Sequence, residues 1–161
     1  MFLVQRFIIC QKILDPRLDY EVSLFNDKKP LYVVQRDSLG ISTNILSLRE
    51  TIEGSILLIL KSNFMFKDCL LLKATGGECG RIHFEGSLQK QFQLNFEGEE
   101  YHGQGGLWAW RFEGFNAKKE VLFVIQRRPS FKLRFELNLK DGLPFAPLIL
   151  TTIAISHRYY K

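Results

Sequence analysis

Cysteine is scarce. Cys10, Cys69 and Cys79 are the three in the chain, and no Cys-x-x-Cys pair occurs among them. An odd count at these spacings excludes a disulfide framework and points to a reducing compartment, so the cytoplasm is the expected location. Charge of one sign is never concentrated: 22 basic residues stand against 17 acidic ones, a net +5, yet no block of five like charges appears, which excludes a polybasic or acidic tail. No apolar run reaches the roughly twenty residues a membrane-spanning helix needs. Gln5 and Arg6 interrupt the N-terminal stretch MFLVQRFIICQKIL, and no small-residue cleavage site follows, so a secretory signal is not expected.

Catalytic signatures are equally thin. The sequence holds no G-x-S-x-G, and neither Ser87 nor Cys79 has a base and an orienting acid signalled beside it. Gly103-Gln104-Gly105-Gly106 lacks the Lys-Ser/Thr of a phosphate loop and reads as a hairpin loop. No D-x-[DN]-x-[DN]-G loop offers oxygens to calcium. His83 and Glu85 form the H-x-E of zinc deaminases without the downstream Pro-Cys-x-x-Cys, and Cys69, Cys79, His83 and His102 fit no finger or ribbon spacing. A non-enzymatic protein with no metal and no cofactor is expected.

What is present describes one globular domain over residues 1–161. The hydrophobic fraction is 46%, near average, and a chain of this length buries roughly 70% of its extended surface without help from metal or disulfide. Fourteen phenylalanines favour pleated, half-buried surfaces over helices.

Short apolar segments alternate with turn chemistry about every ten residues, the spacing of an all-β sandwich or barrel. Tyr20 to Phe25 and Leu31 to Arg36 flank the turn residues Asn26 to Pro30, a hairpin signal. Ser55 to Lys61 and Phe64 to Leu72 fit strands or a short helix. Gly80 to Phe84, Gln91 to Phe96, Leu107 to Phe112, Val121 to Gln126 and Phe131 to Leu137 read as further strands. In the last, Phe131, Leu133, Phe135 and Leu137 share one face, and Lys132, Arg134 and Glu136 the other. Trp108, Trp110 and Phe112 likewise fall on one face, where they suit a ligand platform or membrane anchors but more simply a packed core.

The period changes after Asp141-Gly142. Leu143 to Ile155 carries no charge and predicts a helix over about 143–158, opened by a proline near its first turn. A helix that is apolar all round is enclosed by protein or lipid; at this length, a buried core helix is expected. The simplest packing is a closed antiparallel barrel of about twelve strands threaded by this helix, a closure that also removes sheet edges.

Two segments carry a family likeness. Tyr20 to Arg36, YEVSLFNDKKPLYVVQR, resembles the early hairpin of the tubby C-terminal-like superfamily, in particular its LURP-one-related proteins and phospholipid scramblases. Phe131 to Ile155, FKLRFELNLKDGLPFAPLILTTIAI, resembles that superfamily's last strand, Asp-Gly turn and central helix. The likeness implies the same helix-filled barrel. For function it implies phosphoinositide binding, as in tubby proteins, or calcium-associated lipid movement, as in scramblases, whose cysteine- and proline-rich N-terminal extension this sequence does not show.

The most suggestive surface group is basic: Lys118, Lys119, Arg127, Arg128, Lys132 and Arg134 lie on two neighbouring strands and their turns, where arginines can pair bidentately with phosphate. Glu113, Glu120 and Glu136 interleave with them, and a solvated face is the plainer alternative. Anionic membrane lipid and other proteins are the expected partners; no nucleic-acid motif accompanies the basic residues. The leading expectation is a binding domain for anionic headgroups at a membrane surface, or an interaction scaffold. The alternatives are a scramblase-like protein whose helix enters the bilayer, and a barrel that holds a small ligand.

Overall fold

A computed structural model describes residues 4–14, 18–39, 43–63, 68–86, 89–106, 108 and 110–160, the side chains of 38, 39, 43 and 63 excepted. The expectations for Met1 to Leu3, Phe64 to Lys67, Ser87, Leu107 and Lys161 lie outside the described residues. The chain forms twelve strands and one helix: β1 (Val4–Gln11), β2 (Leu18–Leu24), β3 (Tyr32–Leu39), β4 (Thr43–Arg49), β5 (Ile56–Asn63), β6 (Asp68–Leu72), β7 (Glu78–Glu85), β8 (Gln91–Phe96), β9 (Glu99–Gly105), β10 (Arg111–Phe115), β11 (Val121–Arg127), β12 (Arg134–Lys140) and α1 (Phe145–Tyr159). Each strand pairs with its neighbour in sequence, and β1 pairs with β12 to close the barrel. All pairings are antiparallel.

The alternation of the strands sets what the barrel encloses. Phe7, Ile9, Val22, Val34, Leu46, Leu60, Leu71, Ile82, Leu94, Ile125 and Leu137 are buried on its inside. Glu21, Lys61, Arg81, His83, Glu100, His102 and Glu113 lie at outward strand positions and remain partly or fully exposed. Partly buried apolar side chains, Ile45, Ile59, Leu70, Leu72 and Val124 among them, share that outer face with the charged ones.

The axis is filled by α1, whose residues from Pro147 to Ser156 are all buried. Pro144 stands at its N-cap and Pro147 in its first turn, where a missing N–H costs no helical hydrogen bond. Its three buried hydroxyls are satisfied: Thr151 Oγ1 donates to Pro147 O at 2.7 Å, Thr152 Oγ1 donates to Leu148 O at 2.9 Å, and Ser156 Oγ shares a hydrogen bond of 3.1 Å with Tyr20 Oη. His157 and Arg158 occupy the last turn and suit its negative pole.

The expected loop at Gly103 to Gly106 is instead mostly strand: Gly103 and Gly105 belong to β9, and only Gly106 leaves it. The rings opposite explain why. Phe92 pairs across the ladder with Gly103, Phe112 with Gly105 and Phe123 with Gly114. A Cβ on Gly103 would sit 2.1 Å from the Phe92 ring, and one on Gly114 would sit 2.1 Å from the Phe123 ring. Glycine here makes room for an aromatic ring laid across the neighbouring strand, which is how Phe92, Phe112 and Phe123 fit inside a barrel that already holds a helix.

Burial pushes the Tyr20 phenol and the Cys69 thiol, from ordinary values of 10.0 and 9.0, each up to about 12. Both stay neutral in the folded chain at pH values where the unfolded chain ionises them. Stability is therefore complete below about pH 9 and falls as pH rises from 9 towards 12. Thermal melting followed by circular dichroism should show that alkaline decline, and Tyr20→Phe combined with Cys69→Ala should make it shallower.

Candidate functional site

Because the strands run alternately up and down, the connections alternate between the two barrel ends. One end, where α1 finishes, carries the β1–β2, β7–β8, β9–β10 and β11–β12 connections among others; the opposite end carries the turn between β10 and β11 and the lead into α1. This divides the six basic residues singled out in the sequence. Arg127, Arg128, Lys132 and Arg134 gather on and around the β11–β12 connection. Lys118 and Lys119 lie in the β10–β11 turn, where Asn116 Oδ1 accepts hydrogen bonds from the backbone N–H groups of Lys118 at 2.9 Å and Glu120 at 3.0 Å. The two groups are separated by about 25 Å of strand, at roughly 3.3 Å per residue. Two neighbouring strands were enough to put all six in one region of sequence, but β11 runs the length of the barrel between them.

The β11–β12 connection is held on both sides. Arg128 N–H donates to Arg134 O at 2.8 Å, Gln11 N–H donates to Leu133 O at 2.8 Å, and Arg127 N–H donates to Trp110 O at 2.8 Å. It thus sits between the β1–β2 connection and the β9–β10 connection. The Arg127 guanidinium lies 4.4 Å from the centre of the Tyr160 ring and 5.8 Å from that of Trp110, within reach of cation–π attraction to both. Tyr160 in turn donates its hydroxyl to Trp108 O at 3.2 Å and packs edge-on against Phe135. The end of the chain that follows α1 thereby ties the tryptophan connection to the arginine.

Arg128 is occupied differently. Its Nη2 lies 2.6 Å from Glu136 Oε2, and Arg6 approaches Glu136 Oε1 from the other side through Nε at 3.0 Å. Glu136 belongs to the outward face yet is only 3% exposed, because the two arginines close over it. Burial pushes its carboxyl up, but hydrogen bonds from Arg6 and Asn138 and the charges of Arg128 and Arg6 outweigh that and hold it below its ordinary value. Of Arg127, Arg128, Lys132 and Arg134, Arg128 is the one with an ion pair among the described residues. The acidic residues that interleave with the basic ones in sequence are dispersed in space: Glu120 is at the far end, Glu113 faces Arg111 at 3.6 Å, and Glu136 is engaged in the wall.

Two expectations about this end are corrected. Trp108 and Trp110 do not pack in the core: β10 begins at Arg111, and the indoles are 76% and 56% exposed in the connection before it. Likewise β12 begins at Arg134, and Phe131 is 97% exposed although it shares the period of Phe135 and Leu137. In both places the inward-facing period continues past the rim of the barrel, where no inner surface remains to receive it. Leu14, 97% exposed, and Ile13, 62% exposed, join them on the β1–β2 connection. These five are the most exposed large apolar side chains among the described residues, and all are at one end.

Elsewhere the candidate ligands are scattered. Cys69 is buried on the inside of the barrel while His83, held to Asp68, and His102, 3.3 Å from Glu100, are on the outside. Cys10 and Cys79 are partly buried, and among the described residues no group of three or more His, Cys, Asp or Glu could hold a metal ion. The outer wall carries a groove of about 580 Å³ bordered by Gln91, His102, Gln104, Phe115 and Lys119. No helix among the described residues is long and apolar enough to cross a membrane.

No protein-family model matches the chain, and comparison with curated proteins finds none similar to it.

Proposed function

We propose that the chain is a non-enzymatic binding domain that takes anionic phospholipid headgroups, phosphoinositides among them, at a membrane surface. The observation that carries this reading is the gathering of Arg127, Arg128, Lys132 and Arg134 around one connection, beside Glu136, whose carboxylate is turned into the wall and already bonded. A guanidinium stacked on a ring, as Arg127 is, keeps its planar fork for phosphate. Each basic side chain near an anionic bilayer contributes about 1 kcal/mol, so a group of this size supports reversible binding at moderate salt. The likeness of Tyr20 to Arg36 and of Phe131 to Ile155 to tubby-like proteins favours the same ligand class. Membership of that superfamily belongs to this proposal.

Charge reversal tests it. Arg127→Glu with Lys132→Glu removes two attractions and introduces two repulsions, and binding to phosphoinositide-containing vesicles should weaken by about thirtyfold or more in a flotation assay. Lys118→Glu with Lys119→Glu changes net charge equally at the far end, several screening lengths away, and should change binding far less. Equal losses from the two pairs would mean diffuse attraction with no site at the β11–β12 end.

A further inference from the structure

We infer that the barrel docks end-on and inserts apolar tips, with Leu14, Trp108, Trp110 and Phe131 entering the boundary between headgroups and acyl chains of an anionic bilayer while the charged wall stays in water. This rests on the anionic-lipid reading above and adds to it which residues enter the membrane and how the molecule stands.

Three adjacent connections carry the tips. The β1–β2 connection supplies Leu14 and the β11–β12 connection Phe131, each 97% exposed, and the β9–β10 connection supplies Trp108 and Trp110. Backbone hydrogen bonds link the middle connection to its neighbours on both sides, so the tips form an arc along one rim. Ile13, 62% exposed, stands beside Leu14, and the remaining exposed large apolar residues among those described, Val4, Leu24, Phe25, Leu31 and Val121, belong to the opposite half of the barrel and are each less than half exposed. Fully exposed Leu and Phe side chains have no water-facing role, and clustered apolar exposure marks an interaction surface.

The occupant follows from what lies between the tips. Arg127 and Lys132 stand among the apolar side chains, whereas the centre of a protein–protein interface is depleted of charge, lysine especially. A bilayer boundary accepts the combination: apolar tips reach about 5–10 Å inward while cations stay at phosphate level, and indole rings favour that depth because one edge is apolar and the other donates a hydrogen bond. The Tyr160 hydroxyl bonded to Trp108 O and the Tyr160 ring under Arg127 hold an apolar tip and a headgroup cation in fixed relation. Among the described residues, the most exposed large apolar side chains are at this end, while the wall carries charged residues such as Lys61, Arg81, Glu100 and Glu113. The axis of α1 therefore points towards the membrane.

The molecule carries its own reporter. Trp108 and Trp110 are the two tryptophans of the whole chain, and both are on this rim. The 161-residue chain, mixed with phosphatidylserine-containing vesicles, should show a blue shift of its tryptophan emission and quenching by brominated acyl chains. Leu14→Ser with Phe131→Ser should weaken vesicle binding by about tenfold or more, given the apolar area those side chains would bury. Thermal melting should be unchanged, since neither side chain contributes to the core. If vesicles sediment the protein with neither blue shift nor quenching, end-on insertion is wrong while headgroup binding stands. If anionic vesicles do not sediment it at all, the functional reading itself fails and takes the insertion with it. Concentration-dependent self-association abolished by the same pair of substitutions would reassign the rim to a second copy of the chain.

Discussion

Ile149→Asp should unfold the protein or bring it close to unfolding. Ile149 lies in the second turn of α1 and has no exposed surface, with sheet on every side of the helix, so an aspartate there finds neither water nor a cation. A buried, unpartnered carboxylate costs several kcal/mol, against typical domain stabilities of about 5–15 kcal/mol. Loss of near-ultraviolet circular dichroism and of a cooperative melt at neutral pH is the expected result. Ile149→Val, which removes one methyl group, should cost only about 1 kcal/mol and keep the cooperative transition. Melting of Ile149→Asp at the wild-type temperature would place this side chain outside the core and contradict a helix-filled barrel.

The second large effect is expected at a residue with no side chain. Gly103→Val puts a branched side chain where even the first carbon would be 2.1 Å from the Phe92 ring. That ring has no room to withdraw, because it packs against Phe84, Phe112 and Phe123 with centroid separations of 6.3, 5.7 and 6.3 Å. Overpacking of this kind costs about 3 kcal/mol or more. Shortening the ring in the same molecule, by Phe92→Leu, should recover part of the loss, and the coupling between the two substitutions measured by denaturant unfolding reports their contact directly. Gly106→Ala is the control: nothing lies within 4 Å of a Cβ there, and its stability should match the wild type. A fully stable Gly103→Val would mean that Phe92 does not lie across β9.

Much of the fold was legible because two periods dominate the sequence. Strict alternation in Gln91 to Phe96 and the charge-free run from Leu143 to Ile155 each admit few interpretations, and they became β8 and α1, the latter over Phe145–Tyr159 in place of 143–158. The hairpin read from Tyr20 to Arg36 became β2 and β3. Where alternation fails the reading failed with it. β9 holds glycine at Gly103 and Gly105, which suggests a loop until the cross-strand phenylalanines are known, and those are partners that only the register reveals.

The surface was less legible. Periodicity says which way a side chain points but not where a strand stops, and a shift of two or three residues in the start of β10 or β12 decides whether Trp110 and Phe131 are core or rim. Signals for those stops were present, in Gly106 before the tryptophans and Pro129 before Phe131. The six basic residues were found by composition and their division into two ends was not, since distance along β11 matters only once both ends of the barrel exist. Leu14 and Tyr160 were missed altogether. Their importance comes from the closure of β1 on β12 and from the end of α1 meeting the β9–β10 connection, both long-range events.

The most direct test of the account is co-sedimentation of the wild-type protein with vesicles of phosphatidylcholine alone, with added phosphatidylserine, and with added phosphoinositide, repeated across a salt series. Binding that requires anionic lipid, weakens with salt but persists at physiological ionic strength, where screening acts over about 8 Å, is the predicted result. Absence of binding to every anionic vesicle at low salt would contradict it.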